Sequence, residues 1–576
     1  MNGNRDLVAP FDPLGRDDVA TAGGTGANLG ELTRAGLPAP PGLPTPHRRG
    51  SQQARFVAGL LGEMYPIRPY PLDVSSYTSV LTVAIANCMF APLGLHYPSP
   101  EQMFVEEDGV VVRIEDAGPR PTWRMLYRPW LTLWRNRRYD LDRWQEDPIL
   151  AEATQRAGAL RSRDLAALSW ADLLGTLREA LDVETFVATL RRRYLPQAFR
   201  DMLTLWLLLA CAGQRRRFGA LQSGVETKTL AMNRALEALA AQVRANAELR
   251  DLFAATPAQE LMPALEARPA ARAFLAAFRA FLDGYGHRET VLLLASQPAW
   301  CNAPAVPLGV VKGLAVGKPP TPSSGNGDDG SGQIEGKRSW QVVRDDLLKR
   351  SILGKGPLRN LFIRALEGAR RFPQLREDTH FAMTLGLPVV HAVFLELGRR
   401  LRQAGALEAP EDVLHLKLAE VEAAGRPWPP SAEAAARVRA LATRRKAKRA
   451  SLAGRPLLGE AAPPEAKGGS FLAGVPGSAG VAEGPVRIVS GPSEFGTLRH
   501  GDVLVAPFTN PAWTPLFGLA AAVVADTGGP LSHAAIVARE YGVPAVMGTV
   551  DATRRLRNGQ RVRVDGTRGL VFLTSG

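Results

Sequence analysis

From about Trp134 to Leu294 the apolar residues recur at spacings of three and four among many Ala, Leu and Arg, which predicts packed amphipathic helices. The same pattern resumes from about Asp345 to Ala423 and continues through a basic run, ATRRKAKRA, within 431–467. Between them, Lys318 to Lys337 (KPPTPSSGNGDDGSGQIEGK) is too rich in Pro, Ser and Gly to build a core and reads as an exposed insert over 318–340. The most apolar stretch, Met202 to Ala212 (MLTLWLLLACA), is about half the roughly 20 residues a membrane-spanning helix needs, and predicts a buried core helix. A short β-like run, Gly109 to Ile114, follows the acidic Glu106-Glu107-Asp108. Beyond a Pro/Gly-rich hinge the period changes. Short β-branched runs separated by glycine turns predict strands at Pro485–Val489, Val503–Ala506, Ala522–Ala525, Ala545–Met547, Arg561–Val564 and Leu570–Leu573, with one helix from about Ser532 to Tyr541. These patterns divide the chain into a loop-like 1–50, a mainly helical 51–450, a hinge at 451–470 and a compact α/β domain at 471–576. The expected fold class is therefore multidomain: a mainly α-helical domain followed by a small α/β domain.

Composition narrows the class. With 576 residues, 45% hydrophobic and 22% charged, the chain sits near the globular average, which excludes a mainly disordered, collagen-like or disulfide-scaffold protein. A net charge of +14 favours polyanionic partners: nucleic acid, acidic lipid or phosphorylated small molecules. Much of that charge lies in Arg-rich helices such as RRRYLP and GQRRRFG, without aromatic interleaving or a nucleic-acid fold, so neither a nucleic-acid nor a membrane partner is expected. Cys88, Cys211 and Cys301 are far apart and form no CxxC, so neither a disulfide framework nor a metal site is indicated. The opening MNGNRDLVAPFDPLG lacks the regions of a signal peptide, and a cytoplasmic location is expected.

The chemistry concentrates in Asp526 to Gly548, DTGGPLSHAAIVAREYGVPAVMG. A buried strand, AAAVVAD, runs into Thr527-Gly528-Gly529, where glycine permits a tight turn and close approach of a ligand. Pro530 suits a first helical turn and His533 sits at a helix start. Free N–H groups of that turn, with Thr527, Gly528, Gly529 and Ser532, can hold a phosphoryl group. The positive end of the helix disfavours imidazolium and leaves a lone pair for nucleophilic attack. A phosphohistidine site and a histidine that only hydrogen-bonds its turn both fit these residues.

GGPLSHAAIVAREYGVPAVMG closely resembles the swivelling phosphohistidine domain of phosphoenolpyruvate synthase, pyruvate phosphate dikinase and rifampicin phosphotransferase, and Gly474 to Val489 resembles that domain's opening. The resemblance implies that His533 is the phosphorylated residue. A histidine domain placed behind a helical domain resembles rifampicin phosphotransferase most. Three helical segments are similar to that family too. Glu63 to Ser76 (EMYPIRPYPLDVSS) looks like the entrance to its antibiotic-binding domain. Phe281 to Pro304 carries its YGHR segment, which implies substrate contacts from His287 and Arg288, although Leu292 to Leu294 and Asn302 stand where relatives usually carry acidic residues. Arg370 to His380 (RRFPQLREDTH) looks like its Arg-Glu-x-x-Lys helix, with His380 where Lys is usual. That mapping gives Arg376 the phosphoryl charge to neutralise, and Glu377 or His380 the acceptor's proton to take.

Ala22 to Pro41 (AGGTGANLGELTRAGLPAPP) resembles the opening of the family's ATP-grasp domain, with Thr25 where a phosphate-holding Lys is usual. Helical-domain sequence begins by about residue 60, so 1–50 reads as a remnant of that domain. The chain itself is then expected to bind no cofactor, with ATP and Mg2+ acting through a separate ATP-grasp subunit. Three readings follow: a phosphotransferase component passing phosphoryl from His533 to a hydroxylated, aromatic or antibiotic-like acceptor; a degenerate protein that only sequesters such a ligand; or an inactive product of deletion.

Overall fold

The computed structural model describes residues 65–573 apart from 116–117, 223–224, 317–331, 454, 456, 458–470, 510–512 and 530–531. The chain divides into two units, 1–54 and 55–576, and the reading of 1–50 as an ATP-grasp remnant falls outside the described residues. So does most of the hinge at 451–470.

The first group of elements surrounds one long helix. A helical stretch over 71–90, interrupted by π turns at Val74–Thr78 and Ala86–Phe90, leads to a hairpin of β1 (Phe104–Glu107) and β2 (Val110–Ile114). Then come α1 (Arg128–Asn136), α2 (Pro148–Arg161) and α3 (Trp170–Cys211), which starts sharply because the Ser169 hydroxyl caps it, accepting from Asp172 N at 3.2 Å. Met202 to Ala212 proves to be the last turns of α3 rather than a wholly buried helix. Leu205 and Leu209 are buried, but Leu203, Trp206 and Leu207 face solvent, because only one side of these turns meets other helices.

Four short helices follow: α4 (Lys228–Ala245), α5 (Ala247–Ala255), α6 (Ala258–Glu266) and α7 (Arg272–Tyr285), and then α8 (Ala305–Val316). Helix α9 (Gly332–Arg350) begins inside the segment read as an insert. Helix α10 (Gly356–Ala382) lies along α3, and α11 (Leu387–Gln403) and α12 (Ala432–Ser451) complete the helical part. The basic run of α12 is neutralised from within: Arg444 pairs with Asp108 at 2.5 Å, Arg445 with Glu420 at 2.6 Å, Lys446 with Asp412 at 2.8 Å and Lys448 with Glu107 at 2.5 Å. Two stretches, Pro71–Leu93 and Gly356–Gln403, are long and apolar enough to cross a membrane, and the second is packed mostly inside the protein.

The C-terminal domain is an eight-stranded sheet. Its strands are β3 (Phe471–Ala473), β4 (Val475–Ser478), β5 (Val481–Ile488), β6 (Val503–Ala506), β7 (Ala522–Ala525), β8 (Ala545–Met547), β9 (Arg561–Asp565) and β10 (Leu570–Leu573). They lie in the order β3-β10-β9-β5-β6-β7-β8-β4, and only the β5-β6-β7-β8 run is parallel. Helix α13 (His533–Tyr541) crosses from β7 to β8. The architecture is thus the expected one, a mainly helical part followed by a small α/β domain.

The apolar cores do not follow the division between these two parts. One cluster joins the 71–90 stretch, α3, α10 and α11, with Leu177, Leu190, Leu375, Val390 and Phe394 at its centre. A second joins α4–α8 to the C-terminal domain, uniting Met232, Leu236, Phe278, Trp300 and Val311 with Phe495, Trp513, Leu516 and Phe517. Each such side chain contributes roughly 1.5–3 kcal/mol on burial, so the domain is seated firmly on this helical layer. Tyr541 at the end of α13 adds a polar tie, accepting from Asn233 Nδ2 of α4 at 2.8 Å.

Candidate functional site

The turn before α13 lies at the carboxyl end of β7, the edge of a parallel sheet where crevices for ligands form. Gly528 has φ +105°, open to glycine but strained for other residues, and it is buried beside Ser532 and Met547. Ser532 caps the helix, its hydroxyl accepting from Ala535 N at 3.2 Å. Thr527 Oγ1 donates to Pro507 O at 3.1 Å. Both hydroxyls proposed for phosphate binding are therefore engaged in holding the turn itself. Behind it, the Asp526 carboxylate accepts from Thr549 Oγ1 and from Thr553 N, each at 3.2 Å, which fixes the strand-to-helix corner. The backbone of His533 occupies the first position of α13; its side chain lies outside the described residues.

The second part of the site is on α10. Arg376 Nη2 and Glu377 Oε1 pair at 2.7 Å, both partly buried. One turn on, His380 Nε2 meets Glu289 Oε1 at 2.7 Å, and Glu289 is 1% exposed. Burial works to raise the Glu289 carboxyl, but His380 and Arg288 outweigh it and hold it below its ordinary value. Beneath this layer Arg191 of α3 donates from Nε to Thr379 Oγ1 at 2.9 Å and from Nη2 to Arg376 O at 2.8 Å, fixing the pitch of α10. Sequence reading singled out neither Glu289 nor Arg191.

His287 and Arg288 adjoin the same cluster in an unusual state. Neither ring nitrogen of His287 has a hydrogen-bond partner, nor do Nε, Nη1 and Nη2 of Arg288, and the two residues are 3% and 0% exposed. Their contacts are with the Phe381 ring, 4.2 Å from the His287 ring and 5.7 Å from the Arg288 guanidinium. Burial, reinforced by the charges of Arg161 and Arg288, pushes His287 down to about 3, so it is neutral at physiological pH. A buried guanidinium without hydrogen-bond acceptors costs several kcal/mol, which makes this pair a poor structural element. Nearby, burial and then the charge of Glu289 drive the Glu184 carboxyl well above its ordinary value.

Glu540 links the two parts. It lies seven residues after His533, so both fall on one face of α13 about two turns apart. Solvent still reaches more than a third of Glu540, yet surrounding protein first, and the Glu377 charge second, raise its carboxyl to about 7, with Arg376 opposing. The charges of the Arg376–Glu377 pair on α10 thus reach Glu540 of α13. Sequence reading missed Glu540 because the residue that perturbs it is on a distant helix.

A cleft of about 440 Å3 opens between the 71–90 stretch and α3, lined by Val80, Val83, Ala84, Cys88, Thr189 and Arg192 among others. Its size and apolar walls suit a small amphipathic molecule. Arg192 at its rim follows Arg191, which holds the α10 pair, but successive helix residues point about 100° apart, so the cleft and the charged cluster occupy different faces of α3. Among the described residues no group of three metal-ligating side chains comes together.

Comparison with known proteins agrees with this arrangement. Residues 498–569 match the family model of the mobile domain of PEP-utilising enzymes, and residues 183–377 match that of the rifampicin phosphotransferase fourth domain. The chain is 30% identical over 374 residues to the uncharacterised phosphotransferase YvkC of Bacillus subtilis, covering 63% of this chain and 44% of that protein. It is 29% identical over 360 residues to a rifampicin phosphotransferase of Streptomyces sviceus, covering 60% and 40% respectively. Over 118 residues, 20% of the chain, it is 48% identical to 14% of the phosphoenolpyruvate synthase of Aeropyrum pernix. The chain thus spans less than half the length of these relatives. Residues 183–377 and 498–569 thus resemble, in that order along the chain, a domain of rifampicin phosphotransferase and the mobile domain of PEP-utilising enzymes.

Proposed function

We propose that the chain carries a phosphoryl group on His533 and passes it to a hydroxyl of a small, apolar, aromatic or antibiotic-like acceptor in the cytoplasm. The observation that supports this reading is the electrostatic influence of the Arg376–Glu377 pair on Glu540, on the same helix as His533. Loading takes place in trans: an ATP-grasp subunit holding ATP and Mg2+ places the β-phosphoryl on His533 and passes the γ-phosphoryl to water, leaving AMP and phosphate. In the second step the acceptor oxygen attacks phosphorus, the P–N bond breaks and imidazole leaves. Arg376 screens the phosphoryl charge, and Glu377 or His380 takes the hydroxyl proton. The 440 Å3 cleft is the proposed seat of the acceptor's apolar body, and the unpartnered His287 and Arg288 are its proposed polar contacts.

A second reading has one observation in its favour. His380 Nε2 is held by Glu289 and Arg376 by Glu377, so both groups that would serve transfer are already paired. On that reading the chain binds and sequesters its ligand without chemistry. The deciding experiment incubates the full chain with ATP labelled at the β-phosphoryl and candidate ATP-grasp partners. Acid-labile label that disappears in His533→Ala supports transfer. No label with any partner, together with micromolar ligand binding, establishes sequestration.

A further inference from the structure

Residues 120–139 leave an apolar stripe in solvent. Trp123, Leu126, Trp130 and Trp134 are 71%, 82%, 74% and 59% exposed, and their spacing of three, four and four residues sets them along one side of a short turn and of α1. The opposite side of α1 fastens it to the body. Thr132 Oγ1 donates to Pro92 O at 3.2 Å, Asn136 Nδ2 to Arg192 O at 2.8 Å, and Gln197 Nε2 to Asn136 O at 2.6 Å. The stripe therefore cannot roll inward to hide its rings.

The charge around the stripe is of one sign. Between Arg120 and Tyr139 the sequence carries Arg120, Arg124, Arg128, Arg135, Arg137 and Arg138, and no Asp or Glu. Among the described residues Arg124, Arg128, Arg135 and Arg137 join no carboxylate, in contrast to the basic run of α12, where four cations are paired internally. The Arg137 guanidinium rests 5.1 Å from the Trp134 ring. Trp and Arg also suit a protein interface, but a protein partner would have to place fixed carboxylates opposite each of these arginines. An anionic bilayer supplies counter-charge at every position, and its headgroup layer is where indole rings settle.

We propose that this face docks the chain on an anionic lipid bilayer surface, with the three tryptophans and Leu126 at the headgroup boundary and the arginines on lipid phosphates. This departs from the expectation of no membrane partner, which rested on Arg-rich helices without interleaved aromatic residues; here Trp and Tyr alternate with Arg. At nine residues α1 is far too short to span, but a helix lying flat needs an apolar side and a cationic flank rather than length.

The test is flotation of the full chain with vesicles of phosphatidylcholine alone and with equal parts of phosphatidylglycerol. The expected result is binding to the anionic vesicles at least about tenfold tighter than to the neutral ones, weakened by salt. Trp130→Ser with Trp134→Ser should lose at least about tenfold of that binding at an unchanged melting temperature, since both side chains stand in solvent. Should that pair fail to fold, Trp123→Ser with Leu126→Ser serves the same purpose. The proposal is overturned by absence of anionic-vesicle binding, by equal binding of folded Ser variants, or by a dimer or protein complex that the same substitutions dissociate while vesicles bind no chain.

Discussion

Replacing Glu540 by Gln isolates the electrostatic coupling between α13 and α10. In the docked arrangement the Glu540 carboxyl titrates at about 7 instead of 4.5, because surrounding protein and then Glu377 disfavour its charge more than Arg376 favours it. A carboxyl raised on docking holds its proton where the undocked form has already released it. Docking is therefore strongest below about 4.5, weakens as pH rises towards 7, and levels off above. The full shift corresponds to about 3 kcal/mol, but solvent reaches this side chain, and screening reduces the expected effect to about 1 kcal/mol, or about fivefold in the docking equilibrium. Energy transfer between dyes on α10 and on the C-terminal domain measures that equilibrium across pH 5 to 8. Glu540→Gln should dock more tightly than the parent at pH 8 and lose the pH step. A parent without any step in this range, or a Gln variant that keeps it, refutes the reasoning.

Three further outcomes are expected. Glu289→Ala removes the carboxylate that His380 binds and the negative charge nearest the unpaired, buried Arg288, and should lower stability by about 3–5 kcal/mol in denaturant unfolding, with Glu289→Gln costing clearly less; equal losses would show that the charge does not matter there. Gly386 lies where a Cβ would come within 2.4 Å of Ala180 O, a backbone atom of α3, so Gly386→Ala should cost about 1–3 kcal/mol, and a neutral substitution would mean that α3 and α11 can part freely. Asp73, fully buried and accepting from Ser296 N at 2.8 Å, is raised to about 6 by burial, so global stability should fall as pH climbs from about 4 to 6, and Asp73→Asn should flatten that slope in urea titrations.

The parts of this fold that were legible in sequence are those set by neighbours along the chain. Six strand runs stood out because each is short, apolar and bounded by glycine, and the structure places a strand at every one. The strands Phe471–Ala473 and Val475–Ser478 were not legible, since Gly474, Pro476 and Gly477 break the alternation that marks a strand, and pairing with β10 and β8 supplies what pattern does not. The His533 turn was readable for the same local reason: Gly528 and Ser532 have their structural roles within a few residues. His287 and Arg288 were readable as residues but not as a state, because their lack of partners depends on Phe381 and Glu289 closing around them.

The division of the cores was the least legible feature, and it bears most on function. Periodicity reports that a helix has an apolar side, not which element covers it. It therefore placed α4–α8 with the other helices, while the structure seats them against Phe495, Trp513, Leu516 and Phe517 of the C-terminal domain. Pulling the domain off this layer would expose several large side chains, each at roughly 1.5–3 kcal/mol. The electrostatic coupling of Glu540 to Arg376 and Glu377, by comparison, crosses to a helix whose Leu375 and Ala382 belong to the other core. A motion that carries α4–α8 together with the C-terminal domain spares this apolar layer, but it must break the bond from Lys228 N to Asp378 Oδ1 at 2.6 Å and strain residues 291–300, which contribute to both cores. The seam between the two cores, rather than the border between helices and sheet, is nevertheless where the C-terminal domain has less large apolar surface to expose by moving.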